Sequence, residues 1–149
     1  MDTDNVRRLL DAFYMAKRVR DMLPPLPEGV TASYIRFLDT IQILGENNRN
    51  VRVSDIGEVL NLRPPGVTRT IKEMEAAGYV KKYGSDDDGR VTYVSITEEG
   101  EKLSEKYNRR VFEALSQSLG DISDEDAETA IRVTKRFYDF MCAGRLKID

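Results

Sequence analysis

The chain has 149 residues, 40% of them apolar and 33% charged, with 23 basic against 26 acidic side chains and a net charge of −3. That length fits one domain, and the apolar share supplies a core that a disordered chain lacks. There is no histidine, a single cysteine (Cys142), and no apolar run longer than the five residues Ala12 to Ala16, which excludes an internal disulfide, a Cys/His zinc site, a histidine-based catalytic triad, a membrane-spanning helix and a signal peptide.

No G-x-G-x-x-G or G-x-x-x-x-G-K-[ST] string occurs, so a phosphate-cradling loop has no support. The expectation is a cytoplasmic protein that is not an enzyme and carries neither cofactor nor metal.

Residues 4–23 place Val6, Leu9, Leu10, Phe13 and Ala16 on one helical face. The stretch from Leu23 to Gly29, with three prolines, ends that helix as a stiff connector. Thr31 is the expected cap of a second helix with the stripe Tyr34, Phe37, Leu38, Ile41 and Leu44. Ser54 is the expected cap of a short third helix carrying Ile56, Val59 and Leu60. After a break at Asn61-Leu62-Arg63, Pro64 and Pro65 suit the first turn of a fourth helix, which Gly78 stops. Two short helices across a tight break form a helix-turn-helix pattern.

Tyr79–Tyr83 and Arg90–Ile96 are rich in β-formers, and the segment 84–89 between them has turn chemistry with an Asp-Gly pair. A helix-turn-helix followed by a hairpin is the winged-helix order. Thr97 then caps a long helix with Leu103, Tyr107, Val111, Leu115 and Leu119 along it. Ser123 caps the last helix, whose stripe runs from Ala127 to Met141. The expected fold is mainly α with a small β-hairpin wing.

The fourth helix has two distinct sides. Val67, Ile71 and Met74 fall at i, i+4, i+7 and face inward, whereas Pro65, Thr68, Arg69 and Lys72 fall on the opposite side. Glu73 and Glu75 sit off the centre of that outer stripe. Arginine can bind guanine O6 and N7 together, threonine can touch a base edge or a thymine methyl, and lysine can bind phosphate. Gly66 lets the helix start come close to another backbone. Arg90, at the base of the hairpin turn, could reach a narrow minor groove or a phosphate, braced by Asp88. The competing reading is an ordinary solvated helix face and a soluble hairpin tip. Charge partition favours DNA weakly: residues 49–93 carry eight cations against seven acids, while the rest of the chain is acidic.

The strings Val53-Ser54-Asp55-Ile56-Gly57-Glu58-Val59-Leu60, Pro65-Gly66-Val67-Thr68-Arg69-Thr70-Ile71-Lys72, Asp86-x-Asp88-x-Arg90 and Ile96-Thr97-Glu98-Glu99-Gly100 resemble the MarR family of transcriptional regulators. The resemblance spans the whole chain and is most specific in its central 50 residues. It implies a homodimeric winged-helix regulator, read here as a repressor, on a near-palindromic duplex. It assigns DNA contact to Arg63, Pro65, Gly66, Thr68, Arg69, Lys72 and Arg90, with Asp88 as wing support. Within a single MarR-like domain over 1–149, it makes 31–100 the DNA-binding lobe and 4–23 and 101–142 the dimerisation helices. Gly57 replaces the alanine usual in the family, and Arg63-Pro64-Pro65 lacks the usual small hydroxyl cap.

A small-molecule effector of unknown identity is a further implication of the resemblance. Tyr14, Arg18, Tyr34, Arg36 and Tyr107 are read as core and surface residues rather than as its site, and Cys142 as a packing residue rather than a redox sensor. The alternative function is a winged-helix module that binds protein and not DNA.

Overall fold

A computed structural model describes residues 1–84, 89–144 and 146–148. They fall into two units, Met1–Arg109 and Arg110–Asp149.

The first unit opens with α1 (Thr3–Asp21), capped by the Asp2 carboxylate, which accepts the Asn5 N–H at 2.7 Å. No residue of α1 is buried. Helix α2 (Ala32–Leu44) is capped by Thr31 as expected, and buries Tyr34, Phe37, Leu38 and Ile41. A two-residue strand, β1 (Val51–Arg52), leads directly into α3 (Val53–Leu60). The cap of α3 is therefore Arg52, and Ser54 lies within the first turn. Pairing with a neighbouring strand holds Arg52 extended, and its N–H donates to Asp55 Oδ2 at 3.0 Å. That geometry leaves Ser54 no capping role.

The turn to α4 (Pro64–Ala76) is set by Asn61, whose φ of 52° and ψ of 49° are left-handed. Asparagine tolerates that region better than most side chains. Gly57 costs roughly 1 kcal/mol of helix propensity relative to alanine. Its position explains the departure: a Cβ there would lie 3.2 Å from Val67 Cγ2 and 3.3 Å from the Leu62 carbonyl. Helices α3 and α4 meet where Gly57 has no side chain. Gly78 (φ 85°) ends α4, with Tyr79 N–H donating to the Met74 carbonyl and Gly78 N–H to that of Glu75.

Strands β2 (Val80–Gly84) and β3 (Thr92–Ile96) form the hairpin, and β1 adds to β3 to give an antiparallel sheet ordered β1-β3-β2. Val80 faces Ile96 and Tyr83 faces Tyr93. The Tyr83 and Tyr93 rings stack with centroids 5.4 Å apart. Val51, Val80 and Val94 point into a core shared with Ile56, Leu60, Val67, Ile71, Met74 and the α2 stripe.

Thr97 ties the hairpin exit to the end of α4. Its hydroxyl donates to the Gly78 carbonyl at 2.6 Å and accepts the Gly100 N–H at 3.2 Å, capping α5 (Glu98–Ser104). The long helix expected after Thr97 is interrupted by a π-helical segment, Glu105–Arg109, before α6 (Arg110–Ser118). The spacing of the apolar stripe suits such a turn. Leu103, Tyr107, Val111, Leu115 and Leu119 recur strictly every fourth residue, which in an ideal α-helix rotates the stripe by about 160° over that length. A wider π turn takes up much of that drift. The segment is pinned from inside: buried Asn108 donates to the Ile35 carbonyl at 3.1 Å and to Ser104 Oγ at 2.9 Å, and Ser104 donates to Gln42 Oε1 at 2.6 Å. The core of this unit thus reaches Leu103, Ser104 and Asn108.

The second unit contains α6 and α7 (Asp124–Cys142), the latter capped by Ser123 as expected. Neither helix buries a residue, and Phe112, Ile131 and Met141 are each more than half exposed. Cys142, expected to pack, is exposed.

Candidate nucleic-acid interface

Helix α4 positions the candidate site. Its underside is sealed: Val67 and Ile71 are 1% exposed and Met74 not at all. Its opposite side presents Pro65, Thr68, Arg69 and Lys72 to solvent, as their spacing predicts. Arg63 precedes the helix in extended conformation and makes no side-chain cap. Pro64 and Pro65 occupy its first two positions. Among the described residues a Cβ on Gly66 would meet nothing within 4 Å, so none of them demands glycine there. Thr70 turns back and donates to the Gly66 carbonyl at 3.0 Å, leaving Thr68 as the outward hydroxyl.

One carboxylate comes nearer to this side than its place off the stripe suggested. Glu73 Oε1 lies 3.9 Å from Arg69 Nε, with both side chains more than half exposed. A pair this open contributes about 0–1 kcal/mol and orients the guanidinium more than it stabilises the fold. Glu73 also adds to burial in raising the Tyr34 phenol above its ordinary value. Glu75 faces the wing. Its carboxylate is held below the usual range, chiefly by the hydrogen bond from the Lys82 peptide.

Arg90 is exposed at the end of the hairpin turn and comes together with Thr68 around a shared notch. Asp88, its expected brace, lies outside the described residues, as does most of the expected turn. The notch, about 290 Å³, is also lined by Arg52, Ser54, Lys82 and Thr92. The sequence assigns DNA contact to none of Arg52, Ser54 and Lys82. The signal that could have found Arg52 is its place immediately before α3, next to a pairing valine, but a two-residue strand has no periodicity to read.

Of the residues considered near an effector, Tyr34 is buried with its ring edge-on to Tyr79, and Tyr107 packs against the core. Tyr14, Arg18 and Arg36 are exposed.

A family model described as MarR family matches residues 28–91, from the connector before α2 to the residue before β3. The HTH-type transcriptional regulator YwoH of Bacillus subtilis (strain 168) is 30% identical over 123 residues, covering 83% of this chain and 85% of the relative. The chain belongs to the MarR family of transcriptional regulators. Its relatives regulate transcription and are not enzymes. Among solved structures, this MarR-family chain is similar to FabT of Streptococcus pneumoniae in complex with DNA, with a TM-score of 0.68 and 16% identity over 97% of this chain and 100% of that one. It is also similar to a cysteine-to-serine mutant of MarR from E. coli complexed with operator DNA, with a TM-score of 0.66 and 20% identity over 92% and 99% of the two chains. At these identities the likeness establishes the shared winged-helix fold. Among the described residues no helix is long and apolar enough to cross a membrane.

Proposed function

We propose that this MarR-family regulator is a cytoplasmic, sequence-specific double-stranded DNA-binding repressor acting as a homodimer on a near-palindromic operator. The observation that carries the reading is the two-sidedness of α4, which buries Val67, Ile71 and Met74 while Thr68, Arg69 and Lys72 stay exposed. In the major groove Arg69 reads a guanine, Thr68 a base edge or thymine methyl, and Lys72 binds phosphate. Arg63 and Pro65 flank the same edge. Gly66, which none of the described residues requires to be glycine, lets the helix start lie close to the duplex. Arg90 enters the adjoining minor groove with Asp88 orienting it. FabT and the E. coli MarR mutant, solved with DNA on the same fold, support this use of the surface.

The dimer follows from area left uncovered. Helices α1, α6 and α7 leave Tyr14, Val19, Phe112, Ile131 and Met141 more than half exposed, an apolar surface that a monomer keeps in water. Pairing two copies through segments 4–23 and 101–142 covers it and doubles the recognition helix, with half-sites about 10–10.5 bp apart. Release by a small-molecule effector rests on the family alone.

The test is selection of bound duplexes from a random pool. A two-fold symmetric consensus is expected. Recovery of unenriched sequence, or of a single asymmetric half-site, overturns the reading.

A further inference from the structure

An element pair that enters a major groove and its neighbouring minor groove must straddle the phosphodiester backbone between them. On this chain the space straddled is a real depression. The notch between α4 and the wing is lined by Thr68 of α4, by Lys82, Arg90 and Thr92 of the hairpin, and by Arg52 and Ser54 at the start of α3. Three cations and three hydroxyls converge there, and among the described residues lining it none is a carboxylate. Val53, Ile71 and Val91 supply the apolar part of the lining, and none of the described residues lining it is aromatic. Its chemistry matches an oxyanion.

Lys82 is the element that makes the notch more than a gap. Its Nζ lies 3.3 Å from Glu75 Oε1, which compensates the ammonium. An ammonium has three donors, so it can take a second anion without leaving the first.

We infer that this notch seats one backbone phosphate of the duplex, held by Arg52 and Lys82 with Ser54 as a hydroxyl donor. The inference rests on the DNA-binding reading above and adds a contact that lies on neither the recognition stripe nor the wing tip. A phosphate carries no sequence information, so the seat sets how far α4 descends into the groove, not which base it prefers.

The test uses the full-length protein, the symmetric duplex obtained by selection, and the variants Arg52→Met, Lys82→Met and Lys82→Arg. Each loss of a cation makes the slope of log affinity against log salt shallower, by at most about 0.9 for each of the two seats in a dimer and equally on all operator variants, whereas Lys82→Arg keeps the slope. Replacing the seated phosphate by an uncharged methylphosphonate weakens the wild type, and weakens Lys82→Met by a smaller factor, since only Arg52 then loses its charge partner. Unchanged slopes in both methionine variants, or a loss confined to particular base pairs, overturn the seat. Inorganic phosphate titrated at constant ionic strength separates the sources of the anion. No change in wild-type affinity fits a duplex phosphate, and a weakening that Lys82→Met lacks assigns the notch to a free anion and overturns the inference. Wild-type protein that retains no duplex at all sinks the DNA-binding reading as well, whereas retention with unaltered slopes sinks the seat alone.

Discussion

Glu75 in the last turn of α4 grips Lys82 of β2 twice: its Oε2 accepts the Lys82 peptide N–H at 2.7 Å, and its Oε1 lies 3.3 Å from the ammonium. Strand β2 is an edge strand, so that N–H has no strand partner. One carboxylate therefore closes an open edge, neutralises a cation and fixes the wing to α4.

This grip makes opposite predictions from a mere surface charge. A carboxylate that only faced DNA would repel it, and its removal would strengthen binding. As a positioning group, Glu75→Ala weakens operator binding, and Glu75→Gln, whose amide oxygen still accepts the peptide N–H, retains most of it. Operator affinities of the two variants decide the matter. The pH dependence has a definite sign. The carboxyl is held below its usual range by the Lys82 peptide bond first, so its stabilisation is present above the unfolded carboxylate pKa and is lost as pH falls through the lower folded value. Glu75→Gln flattens that acid limb in thermal melts taken between pH 5 and pH 2.

Arg69 and Lys72 share a side of α4 but are expected to fail differently. Arg69→Ala relaxes preference at one base pair by about 1–3 kcal/mol, and Lys72→Ala weakens all sequences alike with a smaller salt slope. Binding to a panel of single-base operator variants separates them; equal, sequence-independent losses refute the division of roles. Glu73→Gln, which frees the Arg69 guanidinium, leaves stability within about 1 kcal/mol because the pair is exposed.

Gly100 is a steric requirement. A Cβ there would overlap the Tyr79 carbonyl oxygen and lie 2.7 Å from Ile96 Cγ2. The carbonyl cannot step aside, since it accepts the Thr97 N–H at 3.1 Å. Gly100→Ala is expected to cost about 1–3 kcal/mol or more by overpacking. Urea unfolding measures it, and a midpoint equal to that of wild type contradicts the assignment.

The uncovered helices predict the assembly. Sedimentation of the wild type gives a dimer, and the double variant Ile131→Glu, Met141→Glu gives a monomer whose operator affinity falls steeply while its circular dichroism is preserved. A double variant that stays dimeric shows that α7 is not part of the interface.

Much of the lobe is legible in the chain because the relevant signals are local. The caps Thr31, Thr97 and Ser123, the stop at Gly78 and the period of Val67, Ile71 and Met74 act within one or two turns, and each appears where its chemistry puts it. The Ser54 cap failed because a distant partner intervened: β3 pairs with Val51 and Arg52 and carries the extended backbone to the very start of α3. The same strand brought Arg52 to the notch. The continuous helix after Thr97 failed because Asn108 and Ser104 bond to Ile35 and Gln42, about 60 to 70 residues away.

From its sequence alone this protein has a helix with one apolar and one cationic side, a hairpin after it, and amphipathic helices before and behind. Periodicity and capping suffice for that, since they depend on neighbours a few residues apart. Only the tertiary structure decided that Glu75 reaches Lys82 and that Arg52, Thr68, Lys82 and Arg90 surround one hollow. Those meetings join α3, α4 and the wing, and the distances involved are fixed by how the shared core brings those elements together, which no local pattern encodes.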